Sequence, residues 1–543
     1  MSVASRLAVC GAVSLILVAP VRAQEHEHGG APGEQLGHVA FATSCRPDAQ
    51  ARFERAMALL HSFWWEEGAR AFRAVAAADS TCAMAYWGLA LNYWGNPFVG
   101  GPVGENLRHG AAATVVGLAL SAPTARERGF LAAAGALYRD YETTSNPRRL
   151  QAYSDTLARV YRDFPADPEV AIYYALSLVA TASPSDTTFA RQRQAAAILN
   201  PLFRRFPEHP GLAHYIIHAN DSPQLASLGL DAARRYAQIA PSAPHAQHMP
   251  SHIFIRLGLW DESIAANQRS LDAGIEYARV QHLKGVASEQ FHALDYMVYG
   301  YLQEGRDSAA RRTVGQGLAL TTVLSSDALV TNYNRVAMEA RVPLERSDWA
   351  AAAGLPVRAA GQGGIGEALG HFTRGLGAAR RGDTAQARVE IAALATIEAA
   401  LAGQPGYNWS RVVSNEKQAV TAWVLLAAGD TAGALREAAA AADREDVTAK
   451  HPVTPGELLP ARELEGDLLL AVGRYASART AYEATLRREP GRPRSLFGWA
   501  RAAELAGDGA AARTGYRAYL GRMQQGDGAR AELEIARGAL SGR

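Results

Sequence analysis

Hydrophobic and polar residues alternate with the period of α-helices from about residue 45 to the C-terminus. Alanine-rich segments of about 12–16 residues follow one another, and each is broken by Gly-Asp, proline or glycine. The apolar/polar alternation of β-strands is almost absent. The pattern therefore predicts an all-α chain built from many short helices.

The C-terminal part of the sequence repeats with a period of 34 residues. Small residues at two repeated positions allow helices to approach closely, an aromatic residue fills the space between units, and Pro490 ends a helix. The repeated residues are Gly473, Ala478 and Tyr482, which recur as Gly507, Ala512 and Tyr516.

These motifs resemble the tetratricopeptide repeat (TPR). Gly466, Ala478, Tyr482 and Pro490 occupy the glycine, alanine, aromatic and proline positions of a TPR unit, and weaker copies occur at 59–72, 375–387 and 424–435. The resemblance implies a TPR α-solenoid, a superhelix of antiparallel helix pairs. It also implies that positions 2, 5, 9, 12 and 13 of each first helix line a concave groove. More narrowly, HSFWWEEGARAF, CAMAYWGLA, HAQHMPSHIF and KHPVTPGELLPARE resemble a group of secreted bacterial TPR proteins, which supplies no activity.

The chain divides into segments of different composition. The expected order is a signal peptide at 1–23, a flexible His/Gly-rich tail at 24–44, an N-terminal TPR array at 45–319, an irregular repeat or linker at 320–365, and a C-terminal TPR array at 366–543. The tail is expected to be mobile because QEHEHGGAPGEQLG is polar and rich in glycine.

The N-terminus has the features of a cleaved signal peptide. Arg6 precedes the apolar run LAVCGAVSLILVAPV, and Val21-Arg22-Ala23 offers small residues for cleavage. No later run reaches 18 uninterrupted apolar residues, so no membrane span is predicted. We therefore expect a periplasmic or secreted protein.

Cleavage would leave two cysteines, Cys45 and Cys82. In an oxidising compartment the two are expected to form a disulfide, because they lie near the starts of neighbouring first helices. Two buried, unreactive thiols are the alternative.

The charge balance argues against a nucleic-acid partner. Lys and Arg number 55 and Asp and Glu 53, a formal net charge of +2, and no basic stripe stands out. The TPR resemblance instead implies a protein or peptide partner, which the expected export would place in the cell envelope.

Histidines are concentrated in one part of the N-terminal array. Eight of the 15 lie between His209 and His292. Pro241 reads as a repeat-ending proline, which sets the register of two units; a third unit, after an insertion, is expected to start near Phe291. Positions 2, 5 and 9 of the three first helices then hold six histidines and two further polar residues: His214, His218, His245, His248, His252, His292, Asp295 and Tyr299.

This register predicts a metal site. Histidines at i and i+4 share a helix face, and two such pairs on helices 8–10 Å apart can converge on one point. Imidazole suits Zn, Cu, Fe or Ni, and a carboxylate from Asp295 or Asp221 would complete the ligand set. Repeat duplication of a harmless motif, a groove for an anionic peptide, and solvated histidines are the alternatives.

Other motifs carry weaker signals. Pro250 either kinks its helix or starts a new one. His61 is expected to be a packed polar residue rather than a groove ligand, and His451 to mark a turn. GQGGIG at 361–366 is not preceded by a strand and does not indicate a dinucleotide site.

Three functions remain open from sequence. The first is an exported binding protein with a transition-metal (Zn, Cu or Fe) or ligand site in its groove. The second is a metal-dependent enzyme that uses the same histidines, with Asp221 and Asp295 as candidate bases. The third is a metal-free protein-interaction scaffold.

Overall fold

The structure is a computed structural model that describes residues 33–184, 186–324, 328–358, 364–404 and 406–541. Within these ranges the chain is helical, and its extended pairing is limited to an isolated bridge between Val286 and Val323. The helices are α1 (Pro47–His61), α2 (Trp65–Ala78), α3 (Ala83–Trp94), α4 (Gly104–Ala119), α5 (Ala125–Tyr138), α6 (Asn146–Asp163), α7 (Pro168–Ala180), α8 (Ala190–Arg205), α9 (Pro210–Asn220), α10 (Leu230–Ile239), α11 (Pro244–His248), α12 (Pro250–Arg256), α13 (Trp260–Val280), α14 (Ser288–Gln303), α15 (Asp307–Ala319), α16 (Ala328–Glu345), α17 (Trp349–Ala353), α18 (Ile365–Arg380), α19 (Thr384–Leu401), α20 (Trp409–Ala427), α21 (Thr431–Asp446), α22 (Ala461–Ala471), α23 (Tyr475–Arg488), α24 (Pro493–Leu505), α25 (Gly509–Arg522) and α26 (Ala531–Ser541).

Successive helices pack as pairs, and the pairs stack into a solenoid. Each first helix contacts its second helix, as α20 does with α21 and α24 with α25, and also contacts the first helix of a neighbouring pair, as α14 does with α16 and α18 with α20. The predicted all-α solenoid of helix pairs is confirmed. Stacking of this kind lets a long chain bury apolar surface without one large core.

The Gly-Asp pairs explain where many helices end and start. Gly429 and Gly507 have φ of 85° and 82°, a conformation that costs glycine little. The next residue caps the following helix: Asp430 accepts a hydrogen bond from the Gly433 amide, and Asp508 from the Ala511 amide. These Gly-Asp turns therefore join the two helices of a pair, α20 to α21 and α24 to α25.

The N-terminal segment packs against the solenoid instead of forming a free tail. Phe41 is fully buried, and its ring centroid lies 5.3 Å from those of Phe53 and Phe130. The His38 amide donates to the Glu208 carbonyl at 2.9 Å, so the segment reaches across to the turn before α9. The predicted tail at 24–44 is therefore wrong for residues 33–44, because its apolar residues find a groove between helices. Residues 24–32 and the predicted signal peptide lie outside the described part.

The irregular region at 320–365 contains a truncated helix pair. α16 packs against α14 and α18 like an ordinary first helix, whereas its partner α17 has only five residues. The third histidine-bearing unit also differs from expectation, because α13 is 21 residues long and α14 starts at Ser288 rather than near Phe291.

The C-terminal repeats contact the middle of the solenoid. Arg522 donates to the Gly258 carbonyl at 3.1 Å, and the Asp527 amide donates to the Gly305 carbonyl at 3.1 Å. Arg530 forms an ion pair with the fully buried Asp307. These contacts hold the C-terminal repeats against the turns that follow α12 and α14, near the histidine-rich units.

Cys45 and Cys82 form a disulfide across a sequence separation of 37 residues. Because the bond restricts the unfolded chain, a Cys45→Ser/Cys82→Ser variant should lose about 4 kcal/mol of unfolding free energy. Guanidinium unfolding measured by tryptophan fluorescence tests this, with dithiothreitol-treated wild type as the matched control. An unchanged midpoint in both samples would contradict a stabilising role.

Candidate metal centre

Six histidines from three consecutive units meet at one place. α9 supplies His214 and His218, α11 supplies His245 and His248, α12 supplies His252, and α14 supplies His292. Ring centroids lie 5.1 Å apart for His214 and His245 and 4.3 Å apart for His248 and His292. Every histidine predicted to share a groove is brought into this cluster.

Pro250 divides the first helix of the middle unit into two short helices, and both carry histidines of the cluster. It is the first residue of α12, and the preceding Met249 keeps helical angles of φ −52° and ψ −35°. The first helix of this unit is thus two short helices in sequence, and His248 and His252 still face each other. His245 and His248 lie on a helical turn, not on a loop.

The first trio consists of His214, His218 and His245, and one ring nitrogen of each lies within 4.8 Å of the others. The Nδ1 of His214 donates to the His61 carbonyl at 2.6 Å, so the lone pair of this ring is on Nε2. This Nε2 lies 3.1 Å from the Nε2 of His218. The Nδ1 of His245 donates to Glu289 at 3.0 Å, and its buried Nε2 has no hydrogen-bond partner. Two of the three rings are therefore held with an unprotonated Nε2 close to the other ring nitrogens of the trio.

The second trio consists of His248, His252 and His292, all buried. His248 Nδ1 donates to the Oδ1 of Asn267 at 2.6 Å, and Asn267 is fixed because its own amide donates to the Ser263 carbonyl. His252 Nδ1 donates to Asp221 at 2.9 Å. Both residues are thereby assigned the same tautomer, with the lone pair on Nε2.

The two assigned lone pairs of the second trio face each other. The Nε2 atoms of His248 and His252 are 3.0 Å apart, a distance at which two acceptors repel unless a cation lies between them. A proton is a poor bridge, because burial lowers the pKa of His248 well below its usual value and also lowers that of His252. His248 and His252 could hold a metal ion, whose positive charge would remove the repulsion.

The carboxylates of Asp221 and Glu289 hydrogen-bond to rings of the cluster but do not supply candidate ligand atoms. Asp221 accepts from His252 and, at 2.9 Å, from Nε of Arg256. Burial opposes ionisation of Asp221, but Lys450, Arg256 and His252 outweigh it and hold its pKa well below the usual range. Glu289 behaves likewise, since His245 overcomes burial and brings its pKa to about 2. Both side chains are anionic groups that orient imidazoles and offset metal charge.

Asp295 does not belong to the site, which corrects the prediction that it is a ligand or a base. It is fully buried and paired with Arg341, whose Nε and Nη2 donate to its two carboxylate oxygens at 2.8 and 3.1 Å. Arg341 comes from α16, which the histidine register could not place. Both oxygens are therefore engaged away from the histidine rings.

Replacing the carboxylate behind His252 should weaken metal binding. We expect Asp221→Asn to lower the affinity of the second trio about 10–100-fold, because the amide holds the imidazole less firmly and removes a negative charge. Competition with a chromophoric chelator measures this. Asp231→Asn, at an exposed position on α10, is the matched control. Equal affinities for the two variants would rule out the orienting role.

A third group, His61, Glu169 and His209, is also buried and close together. The Nε2 atoms of both histidines bond to the Glu169 carboxylate at 3.1 and 2.9 Å, and His61 Nδ1 bonds to the Tyr215 hydroxyl. Burial opposes the charge on Glu169, but the two histidines outweigh it and lower its pKa. Because these nitrogens are already bonded, the group serves to fix His61, whose carbonyl orients His214. His61 is thus a packed polar residue, as expected from sequence.

A non-helical segment at 447–460 lies beside the second trio. The hydroxyl of Tyr296, whose ring is 4.8 Å from that of His248, donates to the Thr454 carbonyl at 3.2 Å. Lys450 is buried, donates to the same carbonyl at 3.0 Å and lies 4.0 Å from Asp221. His451 accepts from the Val453 amide and marks a turn. Lys450 was not identified from sequence, because it is far from the histidines along the chain.

No helix in the described ranges combines the length and the apolar character needed to cross a bilayer.

Comparisons with known proteins give structural likeness only. No family model matches the chain, and no curated protein matches it significantly. Among solved structures, the human IFIT1 dimer with m7Gppp-AAAA is 10% identical, with 82% of this chain and 90% of that chain covered and a TM-score of 0.39. Yeast Tom70 is 11% identical, with coverage of 91% and 96% and a TM-score of 0.32. The APC/C hetero-tetramer Cut9–Hcn1 is 12% identical, with coverage of 91% and 83% and a TM-score of 0.33. The description of this chain as a helical solenoid rests on its own helix pairs.

Proposed function

We propose that this protein is an exported TPR-type binding protein that holds transition-metal ions in its histidine cluster, one ion in each trio. The observation that carries the proposal is that the Nε2 atoms of His248 and His252 face each other 3.0 Å apart. In each ring Nδ1 donates to a fixed acceptor, so Nε2 carries the lone pair. Such a pair is costly in a metal-free protein and favourable around a cation.

The donor set narrows the kind of ion. Three neutral imidazoles per trio suit Zn, Cu, Fe or Ni and do not suit Ca²⁺ or Mg²⁺, which prefer oxygen ligands. At Zn–N bonds of roughly 2.0–2.1 Å in tetrahedral geometry, two bound nitrogens are about 3.3 Å apart. The 3.1 and 3.0 Å separations in the two trios are close to this value.

A metal-dependent enzyme is the second candidate function. Three protein ligands leave a coordination position open, which is typical of catalytic zinc rather than of closed structural sites. An ion bound there would supply Lewis-acid or redox chemistry. The chain's own part would be to orient the rings through Asp221, Glu289 and Asn267. Absence of turnover by the metal-loaded protein with ester, phosphoester, amide and phenolic substrates would remove this candidate.

Export and partner binding are further parts of the proposal. The signal-peptide pattern at 1–23 and the Cys45–Cys82 disulfide support an envelope or secreted location, where disulfides persist. The solenoid offers a surface for a protein or peptide partner.

Reconstitution tests the proposal. The purified protein is stripped with chelator, incubated separately with Zn²⁺, Cu²⁺ and Fe²⁺, dialysed, and analysed for metal by mass spectrometry. We expect about two ions per chain for at least one metal. Protein that stays metal-free with all three would contradict the proposal, and an interaction scaffold would remain.

A further inference from the structure

A second candidate binding site lies outside the histidine cluster, in a small cavity of about 30 Å³ beside α16, α20 and the 447–460 segment. We call it the C-terminal cavity. Its walls combine two kinds of side chain, aromatic rings and carboxylates: Tyr333, Tyr407, Trp409, Glu416, Glu445 and Glu457. Nothing in the metal-binding proposal uses these residues.

The aromatic residues form a connected wall. The ring of Trp409 lies 4.8 Å from that of Tyr407 and 5.7 Å from that of Tyr333, by centroid. His451 completes this wall, 4.8 Å from Trp409. Rings of tryptophan and tyrosine attract cations through their negative faces, most strongly where water is excluded.

The carboxylates of the cavity stand outside the ion pairs of the protein. None of the ion pairs formed within the described residues involves Glu416, Glu445 or Glu457. The Oε2 atom of Glu416 is fully buried and has no hydrogen-bond partner. Burial and the nearby Glu457 raise the pKa of Glu416 to about 8 and also raise that of Glu445. A cation that entered the cavity would relieve this destabilisation.

The neighbouring basic residues are directed elsewhere. Arg488 donates to the Glu445 carbonyl at 3.1 Å and to the carboxylate of Asp446 at 2.9 Å. Arg341 donates to the Glu457 carbonyl at 3.1 Å and pairs with Asp295. These hydrogen bonds of the two arginines therefore go to backbone carbonyls and to other carboxylates, and Arg488 attracts Glu445 and Glu457 without forming an ion pair with either.

We propose that the C-terminal cavity binds an organic ammonium ion, with Glu416 as its charge partner and Trp409, Tyr407 and Tyr333 around its apolar substituents. A divalent metal ion fits less well, because Ca²⁺ takes six to eight oxygen ligands and much of this wall is carbon. The ammonium group can belong to a free small amine or to a lysine side chain of a peptide, since both present the same head group.

Isothermal titration of the full-length protein tests the proposal. Tetramethylammonium and methylammonium are the free-cation probes, Nα-acetyl-lysine-methylamide represents a peptide lysine, and K⁺ and Ca²⁺ are the inorganic comparisons. We expect saturable binding of at least one organic cation, and affinity lowered about tenfold or more by Glu416→Gln. Tighter binding of the lysine derivative than of methylammonium would indicate a peptide source, and the reverse a free amine.

Matched variants make the result specific. Glu483→Gln is the control, because Glu483 is an exposed carboxylate that accepts from the Trp499 indole on the same repeat array. If Glu416→Gln does not fold, Trp409→Leu replaces it, with far-ultraviolet circular dichroism as the folding check. The proposal is overturned if no organic cation binds, if the cavity and control variants bind equally well, or if K⁺ or Ca²⁺ binds more tightly than every organic cation.

Discussion

A His248→Ala/His252→Ala variant is expected to bind about one metal ion per chain where the reconstituted wild type binds about two. The two residues supply the facing Nε2 atoms of the second trio, and His292 alone cannot retain an ion against dialysis. The first trio keeps its three rings, because its orienting contacts come from His61 and Glu289. Metal content measured by mass spectrometry, with protein quantified by amino-acid analysis, gives the ratio.

The control for this experiment removes the same number of histidines from outside the cluster. His109 on α4 and His282 in the loop before α14 are both exposed, so His109→Ala/His282→Ala should leave the wild-type ratio unchanged. If both double variants retain two ions, the second trio is not a metal site. If the control variant also loses metal, the bound ions are held at the surface.

Asp295→Asn should destabilise the protein by about 3–5 kcal/mol without lowering its metal content. The substitution leaves the guanidinium of the fully buried Arg341 without its carboxylate, and an unpaired buried charge is costly. Thermal or guanidinium unfolding followed by circular dichroism gives the stability, and the same sample gives the metal ratio. Because Arg341 lies on α16 and donates to two backbone carbonyls of the 447–460 segment, the stability should be lost at the junction of the two repeat arrays.

The double variant Asp295→Asn/Arg341→Met separates this explanation from a general packing defect. Removal of both charges should restore part of the lost stability, since neither group is then buried unpaired. Loss of metal with unchanged stability in Asp295→Asn would instead return Asp295 to the ligand set, as the helical register had indicated.

The position of the histidine cluster could be predicted because its information is local and periodic. His214 and His218 recur 34 residues later as His248 and His252, so the repeat register alone places the two pairs on neighbouring helices. Pro241, interpreted as a repeat-ending proline, supplied the register of these two units. Stacking of adjacent units then brings the rings together without any long-range information.

The groups that orient the rings could not be predicted, because they come from other elements. Asn267 lies on α13, the second helix of its unit. Glu289 lies one turn before His292 on α14, a helix whose start was predicted at the wrong residue. Lys450 belongs to the 447–460 segment of the C-terminal array and lies near Asp221. The carbonyl of His61 carries no sequence signal at all. The prediction for Asp295 was wrong for the same reason, because its partner Arg341 lies 46 residues away along the chain.

The N-terminal segment shows how composition can mislead over a short stretch. Glycine and polar residues dominate 24–37, but Val39 and Phe41 are apolar and buried, and the ring of Phe41 packs against aromatic rings of α1, α3 and α5. The average polarity of the segment predicted that it is mobile. Burial of the Val39 and Phe41 side chains instead packs residues 33–44 against the solenoid.

Metal binding by the two trios can be tested by anomalous diffraction from crystals of metal-reconstituted protein, recorded on both sides of the metal's absorption edge. We expect two anomalous peaks, one within about 2.0–2.3 Å of a nitrogen from each of His214, His218 and His245, and one equally placed for His248, His252 and His292. A peak at the His61–Glu169–His209 group alone, or no peak among the histidines of a fully reconstituted crystal, would contradict it.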